Sequence, residues 1–553
     1  MRKNLLILII SLSVFTCLSA NPPSWAWLQR TEGSGSCRIY GIQSDSQNRI
    51  NVVGYFEGEA ILGTDTFNSI GIRDAFVAQL DANGNWLWVT AIAGAGSEYA
   101  SEIAVDSQDN IYVAGIFTQD FSIGTTNLTT NGNSDIYCAK FCSSGEVLNA
   151  FSVGCVSQDQ LEGLAVTSQG AVFLSGTYLH SITIGTTDLT SSAYGLFISK
   201  WDNQFNHVWA QQPSSSSNSP DCSSLGTDSE GNCYIAGNFT LQCAFGSPNP
   251  VSLTSQDTSG YVVKLNSNGN GVWAERISNG GLGIMNSYID SSGNTYVTCD
   301  MLFSPFHRVS GERIDTYPLC GKLGSNQVWQ WYEDYSAMQY CAFNKICGDS
   351  EGNCYITGTL WGSFSFGSYT LTGYFNNENI YVAKANEAGQ WQWGLQTYES
   401  GYLFYLGIYD ITALADGSCV IAGFNSSETL LFGDFLISPS TNAYAFLLRI
   451  DGATSGAADE DIEVVPLEIT IHPNPFTNQV QFQFNPKQPI TASATVYNLK
   501  GQVVKRFPQA DYQGKSQLIW NGLDESDRQT ASGIYILHLH TDQGVISKAF
   551  TRF

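Results

Sequence analysis

The side chains that could do chemistry in this chain are few and scattered. Its six histidines are His180, His207, His307, His472, His538 and His540. None lies in an H-E-x-x-H segment, and no G-x-S-x-G nucleophile elbow occurs. His538 and His540 alternate onto one face of a strand and could touch a metal, but exposed strand residues are the simpler reading. Asp228, Asp290 and Asp349 each open a D-S-x-G-N segment that resembles a calcium loop. The spacing and distal glutamate of such a loop are missing, so these aspartates read as turn caps. Among the 14 cysteines, Cys138 and Cys142 stand four apart and Cys341 and Cys347 six apart. No second tight pair or nearby histidine completes a tetrahedral zinc site, which leaves buried thiols or structural bridges. No metal and no cofactor is expected.

Aromatic residues beside carboxylates are the better candidates. Glu98-Tyr99, Asp159, Asp221, Tyr332-Glu333-Asp334-Tyr335, and Tyr398-Glu399 with Tyr402 all fall in corresponding connecting segments. A tyrosine ring can stack on a sugar while a carboxylate accepts its hydroxyls. The candidate binding residues are therefore Glu98, Tyr99, Asp159, Asp334, Tyr335, Tyr398 and Tyr402. No residue is assigned a catalytic role. A carboxylate pair supplied by two distant segments cannot be recognised by spacing, so a polysaccharide hydrolase or lyase remains the alternative to a binding protein. A third reading is pure structural display. A separate cluster, His307, Arg308, Glu312, Arg313 and Asp315, stands out in a charge-poor chain as a divergent loop or partner contact.

Something must hold these segments in register, and the sequence shows what. DSEGNCYIAG at 228–237 returns as DSEGNCYITG at 349–358. Aligned on its final residue, the segment occurs seven times, at Gly54, Gly115, Gly176, Gly237, Cys299, Gly358 and Gly423. The steps are 61, 61, 61, 62, 59 and 65 residues. A W-x-W-like element precedes each copy: Trp25/Trp27, Trp86/Trp88, Leu148/Ala150, Trp209, Trp273, Trp329/Trp331 and Trp391/Trp393. An element such as DAFVAQL (74–80) or NIYVAKA (379–385) follows each. Ser-x-Gly-Asn is hairpin chemistry, and the Tyr and Val after it are strand formers. Each unit thus offers four strands. A period near 61 in an all-β chain predicts a propeller, here seven-bladed with four-stranded blades. The chain starts with a W-x-W element and its last unit lacks one, so the N-terminal strand is expected to close the last blade.

Composition narrows the setting. With 24 basic against 49 acidic residues, nucleic acid and anionic membranes are poor partners. MRKNLLILIISLSVFTCLSA carries a basic start, a short apolar run and small residues before Asn21, which reads as an export signal over 1–20. Cys17 raises the alternative of lipidation. Export permits disulfides, but the pairing is not readable. No other segment is long and apolar enough for a membrane span. DGATSGAADEDIEVV (451–465) reads as a linker after a propeller over 21–451, and residues 466–553 as a small Ig-like β-sandwich.

The D-S-x-G-N-x-Y-V-x-G, D-x-F-V-A-K-L-D and W-x-W pattern resembles the SBBP-type β-propeller repeat of exported bacterial proteins. In the last 88 residues, Pro473-Asn474-Pro475, Val496-Tyr497-Asn498 with Gly501, Gly533 with Tyr535, and Lys548 resemble the type IX secretion C-terminal sorting domain. His472 replaces the family's usual tyrosine. This second resemblance implies passage through the periplasm, the type IX machinery as a partner, and a secreted or cell-surface protein whose sorting domain is commonly removed. An extracellular glycan or protein is the remaining partner expected.

Overall fold

The computed structural model describes residues 23–216, 219–277, 282–301, 319–334, 341–360, 362–367, 369–372, 379–399, 406–425, 430–432, 435–437, 444–452, 469–486, 489–498, 503–526, 528–541 and 544–553. The expected export segment 1–20, the charged cluster 307–315 and most of the expected linker lie outside them. The chain separates into two compact units, Ser24–Asp451 and a C-terminal one from Gly452. No α-helix occurs among the described residues.

The first unit contains seven four-stranded antiparallel sheets. Sheet 2 shows their plan: Tyr99–Val105, Ile111–Phe117, Asp135–Phe141 and Val147–Val153 pair in chain order. Sheet 7 joins Leu406–Ala413, Cys419–Asn425 and Tyr444–Asp451 to the N-terminal strand Ser24–Arg30, with Trp27 opposite Arg449. The first strand of each sheet packs on that of the next, and the seventh packs on the first. Between second and third strands, several units add a hairpin such as Glu59–Leu62 with Asp65–Asn68.

The repeated segment is a hairpin held by its aspartate. Asp228 accepts the amides of Glu230 and Asn232, the Asn232 side chain and the Tyr234 hydroxyl, and it pairs with Lys264 at 3.0 Å. Asn232 and Lys264 outweigh the burial that raises it, and hold this carboxyl below the usual range. Asp349, Asn353, Tyr355 and Lys384 repeat the set in sheet 6. The lone pairs a calcium ion would need are therefore occupied by donors of the turn itself.

Two further devices join sheet to sheet. The second Trp of W-x-W donates its indole N–H to the next sheet: Trp27 to Ala82 at 2.9 Å, Trp88 to Ser143 at 3.1 Å, Trp209 to Ser267 at 3.2 Å and Trp331 to Glu387 at 3.1 Å. Gly145 covers the Trp88 ring with φ of +84°, where a Cβ would come within 2.7 Å of the indole. In sheet 2 the position is filled by Asn149, which donates to Gln204 O. That places the W-x-W counterpart at Val147/Asn149, one residue before the Leu148/Ala150 expected from the alignment: Val147 stands opposite Phe141 as Trp86 stands opposite Leu80, at the same register shift.

Of the thirteen cysteines from Cys37 to Cys419, all but Cys142 are buried. The core clusters hold most of them beside Val, Ile and Tyr, as small apolar fillers.

The C-terminal unit has a three-stranded sheet (Ile469–His472, Val480–Phe484, Ser516–Trp520) and a four-stranded sheet (Val503–Tyr512, Ile490–Asn498, Gly533–Thr541, Gly544–Arg552). Phe476, Phe482, Trp520, Tyr535 and Phe550 share its core. His538 is buried on the other face of its sheet, with its ring 4.8 Å from Tyr497, rather than exposed as expected, on a strand paired on both sides.

Candidate functional site

Antiparallel order sends the Asp-capped hairpins to one end of every sheet and the fourth-to-first connections to the other. Functional side chains gather at that second, loop end, and a backbone irregularity aims them. In six sheets the first strand carries a bulge. In sheet 1, Ile39 faces Gly54 and Gly41 faces Val53, which leaves Tyr40 unpaired. In sheet 7, Tyr409 is left out in the same way. A bulge turns its extra residue out of the normal alternation. It also drives a carbonyl toward the second strand: a Cβ at Gly115 would lie 1.9 Å from Tyr99 O. The repeated glycine is the mark of the bulge opposite it.

Tyr40 and Tyr409 come from adjacent first strands and meet edge to face at 4.7 Å. Tyr99, the first residue of sheet 2, joins with its ring 6.4 Å from Tyr40, and buried Tyr55 lies 5.7 Å from Tyr40 on the other side. Arg38 enters this group, donating from Nη1 to the Tyr409 hydroxyl at 3.0 Å with its guanidinium 4.4 Å from the Phe424 ring centre. Arg73 sits 4.8 Å over Tyr55 and pairs with Glu57 at 2.5 Å.

Farther along the first strands, charged residues converge from non-adjacent sheets. Burial pushes Glu102 of sheet 2 up to about 7; Lys345 of sheet 6 opposes this, while Asp410 of sheet 7 and Glu162 of sheet 3 add to it. Glu162 is likewise pushed up to about 7 by burial and by Asp221. Carboxyls on the first strands of several sheets thus act on one another, and two of them, the half-buried Glu102 and Glu162, are raised to near neutrality.

The expected site residues divide. Tyr99 belongs to the tyrosine cluster. Glu98 (0% exposed) and Asp159 (1% exposed) do not line the open mouth; they are buried in the seams between sheets 1 and 2 and sheets 2 and 3. Asp159 caps Cys155 N at 2.7 Å. Its homologue Glu98 is one methylene longer and lacks a bond as well aligned, with Gly94 N the backbone donor nearby. Burial, then nearby Asp74, push Glu98 up to about 7. Asp135, beside Asp159, is pushed up to about 6, chiefly by burial. Backbone pairing places Asp334 at the end of the fourth strand of sheet 5, opposite Leu319, and Tyr398 opposite Leu431. Tyr335 and Tyr402 lie outside the described residues. Arg38, Tyr40, Arg73 and Tyr409 were missed. One signal could have found the tyrosines: both stand fourteen residues before the repeated glycine (40 before 54, 409 before 423), in the matching strings IYGI and IYDI. Among the described residues, no three His, Cys, Asp or Glu side chains are placed to hold a metal.

In the C-terminal unit, Asn474 between Pro473 and Pro475 accepts Thr551 N at 2.8 Å, and Phe476 N donates to Thr551 O. This pins the P-N-P segment to the last strand. Tyr535 donates to Ala531 O, Asn498 pairs with Tyr535, and Lys548 pairs with Leu537. Gly533 starts the strand, while Gly501 lies outside the described residues.

Residues 470–551 match the family of secretion system C-terminal sorting domains. The chain carries a type IX sorting domain, which indicates export by that route to the cell surface or beyond and an interaction with its machinery. Elsewhere, 125 residues are 30% identical to an uncharacterised WD repeat-containing protein of Acanthamoeba polyphaga mimivirus, covering 21% of this chain and 9% of that protein. Among solved structures, an ulvan lyase of a new polysaccharide lyase family aligns over 75% of this chain and 97% of its own, at 9% identity and TM-score 0.39. PorZ, an essential surface component of the type IX secretion system of Porphyromonas gingivalis, aligns over 95% and 100%, at 10% identity and TM-score 0.17. These neighbours are propeller-like and distant, and nothing about ligands follows from them.

Proposed function

We propose that residues 24–451 form a closed seven-bladed β-propeller of the SBBP type that binds a glycan at its loop-end mouth outside the cell. One observation carries this reading: Tyr40, Tyr99 and Tyr409 converge from three sheets around Arg38, in a part of the repeat where the other copies have no such residues. Tyrosine rings supply apolar faces for pyranose stacking and hydroxyls for hydrogen bonds, at low entropic cost. A glycan-array screen of the secreted full-length chain tests it, repeated with Tyr40→Ala/Tyr409→Ala. Binding that the variant loses supports the site. Binding left intact, or captured only by a protein from the cell envelope, overturns it.

The second reading, a hydrolase or lyase, is favoured by a different observation. Glu102 and Glu162, both pushed up to about 7 mainly by burial, have the protonation behaviour of a general acid or base. Release of reducing ends or unsaturated products from any bound polymer, abolished by Glu102→Gln, would move the protein into that class.

A further inference from the structure

Resting on the glycan reading, we infer that the mouth selects an acidic saccharide, one bearing a carboxylate or sulfate, and that Arg38 is its anion receptor.

The argument begins with charge pairing. The arginines at 30, 49, 73, 449, 506 and 528 each stand within 4 Å of a carboxylate. Arg38 does not, and neither does Arg552, which is buried within the C-terminal unit: among the described residues, the partners of Arg38 are the Tyr409 and Tyr40 hydroxyls and the Phe424 ring. Its Nε is buried and unpartnered. In a chain with 49 acidic residues, a counter-ion would have been easy to place. A half-buried guanidinium without one is costly unless something else supplies the negative charge.

The surroundings fit an anionic sugar better than an anionic side chain of a protein. A guanidinium offers a planar fork of donors matched to a carboxylate or an oxyanion ester. Tyr409 accepts from Arg38, so its own hydroxyl proton remains to be donated to the same anion. Tyr40 and Tyr99, both partly exposed, flank that point with ring faces suited to the sugar carrying the charge. Arg73 adds little net charge, since Glu57 neutralises it. The site therefore offers one uncompensated positive charge beside stacking surface.

The test uses the secreted full-length chain and three hexasaccharides: oligogalacturonate, a sulfated galactan and an unsubstituted galactan. Titration calorimetry should give at least tenfold tighter binding to one or both acidic oligosaccharides than to the neutral one. That preference should shrink on raising NaCl from 50 to 500 mM. Arg38→Gln should lose the preference, and Arg38→Lys should restore part of it. The wild-type comparison and its salt dependence need no variant, so a misfolded variant does not spare the inference. Tighter binding of the carboxylated or of the sulfated sugar identifies the anion. Equal binding of all three overturns the acidic preference and leaves the glycan reading standing; a preference that Arg38→Gln retains overturns the role of Arg38. No binding of any saccharide by folded protein overturns both.

Discussion

The two ends of the sheets are built from the same repeat and differ in what becomes of their charges. At the hairpin end, Asp228 and Asp349 are each surrounded by amides, a tyrosine hydroxyl and a lysine, so these two charges are matched locally. At the loop end, Arg38 has no carboxylate, Glu98 is buried without a well-aligned hydrogen bond, and Glu102 feels Lys345 together with other carboxyls. Where the repeat is kept, its polar residues hold strands together. At the loop end, the aromatic and charged residues around Arg38 depart from the repeat and hold no such strand-joining set.

Substitutions can sharpen or break this contrast. The largest effect is expected from Gly115→Ala, where the new carbon would sit 1.9 Å from Tyr99 O and 2.8 Å from the Tyr137 hydroxyl. Backbone must move at the bulge, and urea denaturation should show a loss of about 3 kcal/mol or more. Asp228→Ala comes next. It strips the hairpin of its acceptor and leaves Lys264 unpaired, so a loss of about 2–3 kcal/mol is expected, with Asp228→Asn recovering part of it.

The Asp74–Glu98 seam should show itself through pH. Glu98 is raised in the folded chain from 4.5 to about 7 by burial and by Asp74. Its stabilising contribution is thus complete below about pH 4.5 and is lost as pH rises through 7, when the native state must hold a buried charge. Glu98→Gln should melt above the parent at pH 8, by on the order of 2 kcal/mol, with the advantage vanishing at pH 4. An advantage that is flat with pH would mean that Glu98 does not titrate in this window. Trp88→Phe removes the indole bond to Ser143 O while keeping a ring under Gly145, for about 1 kcal/mol. Smallest of all, Arg38→Gln should change stability by only about 0.5 kcal/mol, because it removes a charge that nothing in the fold neutralises. A cost as large as that of Asp228→Ala would erase the distinction between the two ends.

The sheets were legible because each announces itself within some ten residues. Asp-Ser-x-Gly-Asn specifies a hairpin by its own hydrogen bonds, and the alternating strands on either side need no distant partner to be recognised. The mouth was less legible. The search for aromatic–carboxylate neighbours took in Tyr99, which joins the tyrosine cluster, together with Glu98 and Asp159, which are buried in the seams, since adjacency in sequence says nothing about which of two alternating side chains is buried. It passed over Tyr40 and Tyr409 because a bulge inserts one residue without disturbing the 61-residue period. Every copy keeps the same fourteen-residue distance to its final residue, so nothing in the spacing betrays the irregularity.

By itself, then, the sequence determined the repeat, the four strands of each unit, the N-terminal strand that completes sheet 7, and a C-terminal domain recognisable as a sorting signal. These are consequences of local turn chemistry and strand alternation. The tertiary structure alone decided that Tyr40 meets Tyr409 from 369 positions away, that Glu102 feels Lys345 of another sheet, and that Arg38 is left without a counter-ion. Such meetings depend on how seven sheets are set against one another and on where each first strand is bent, and no stretch of ten residues contains that information.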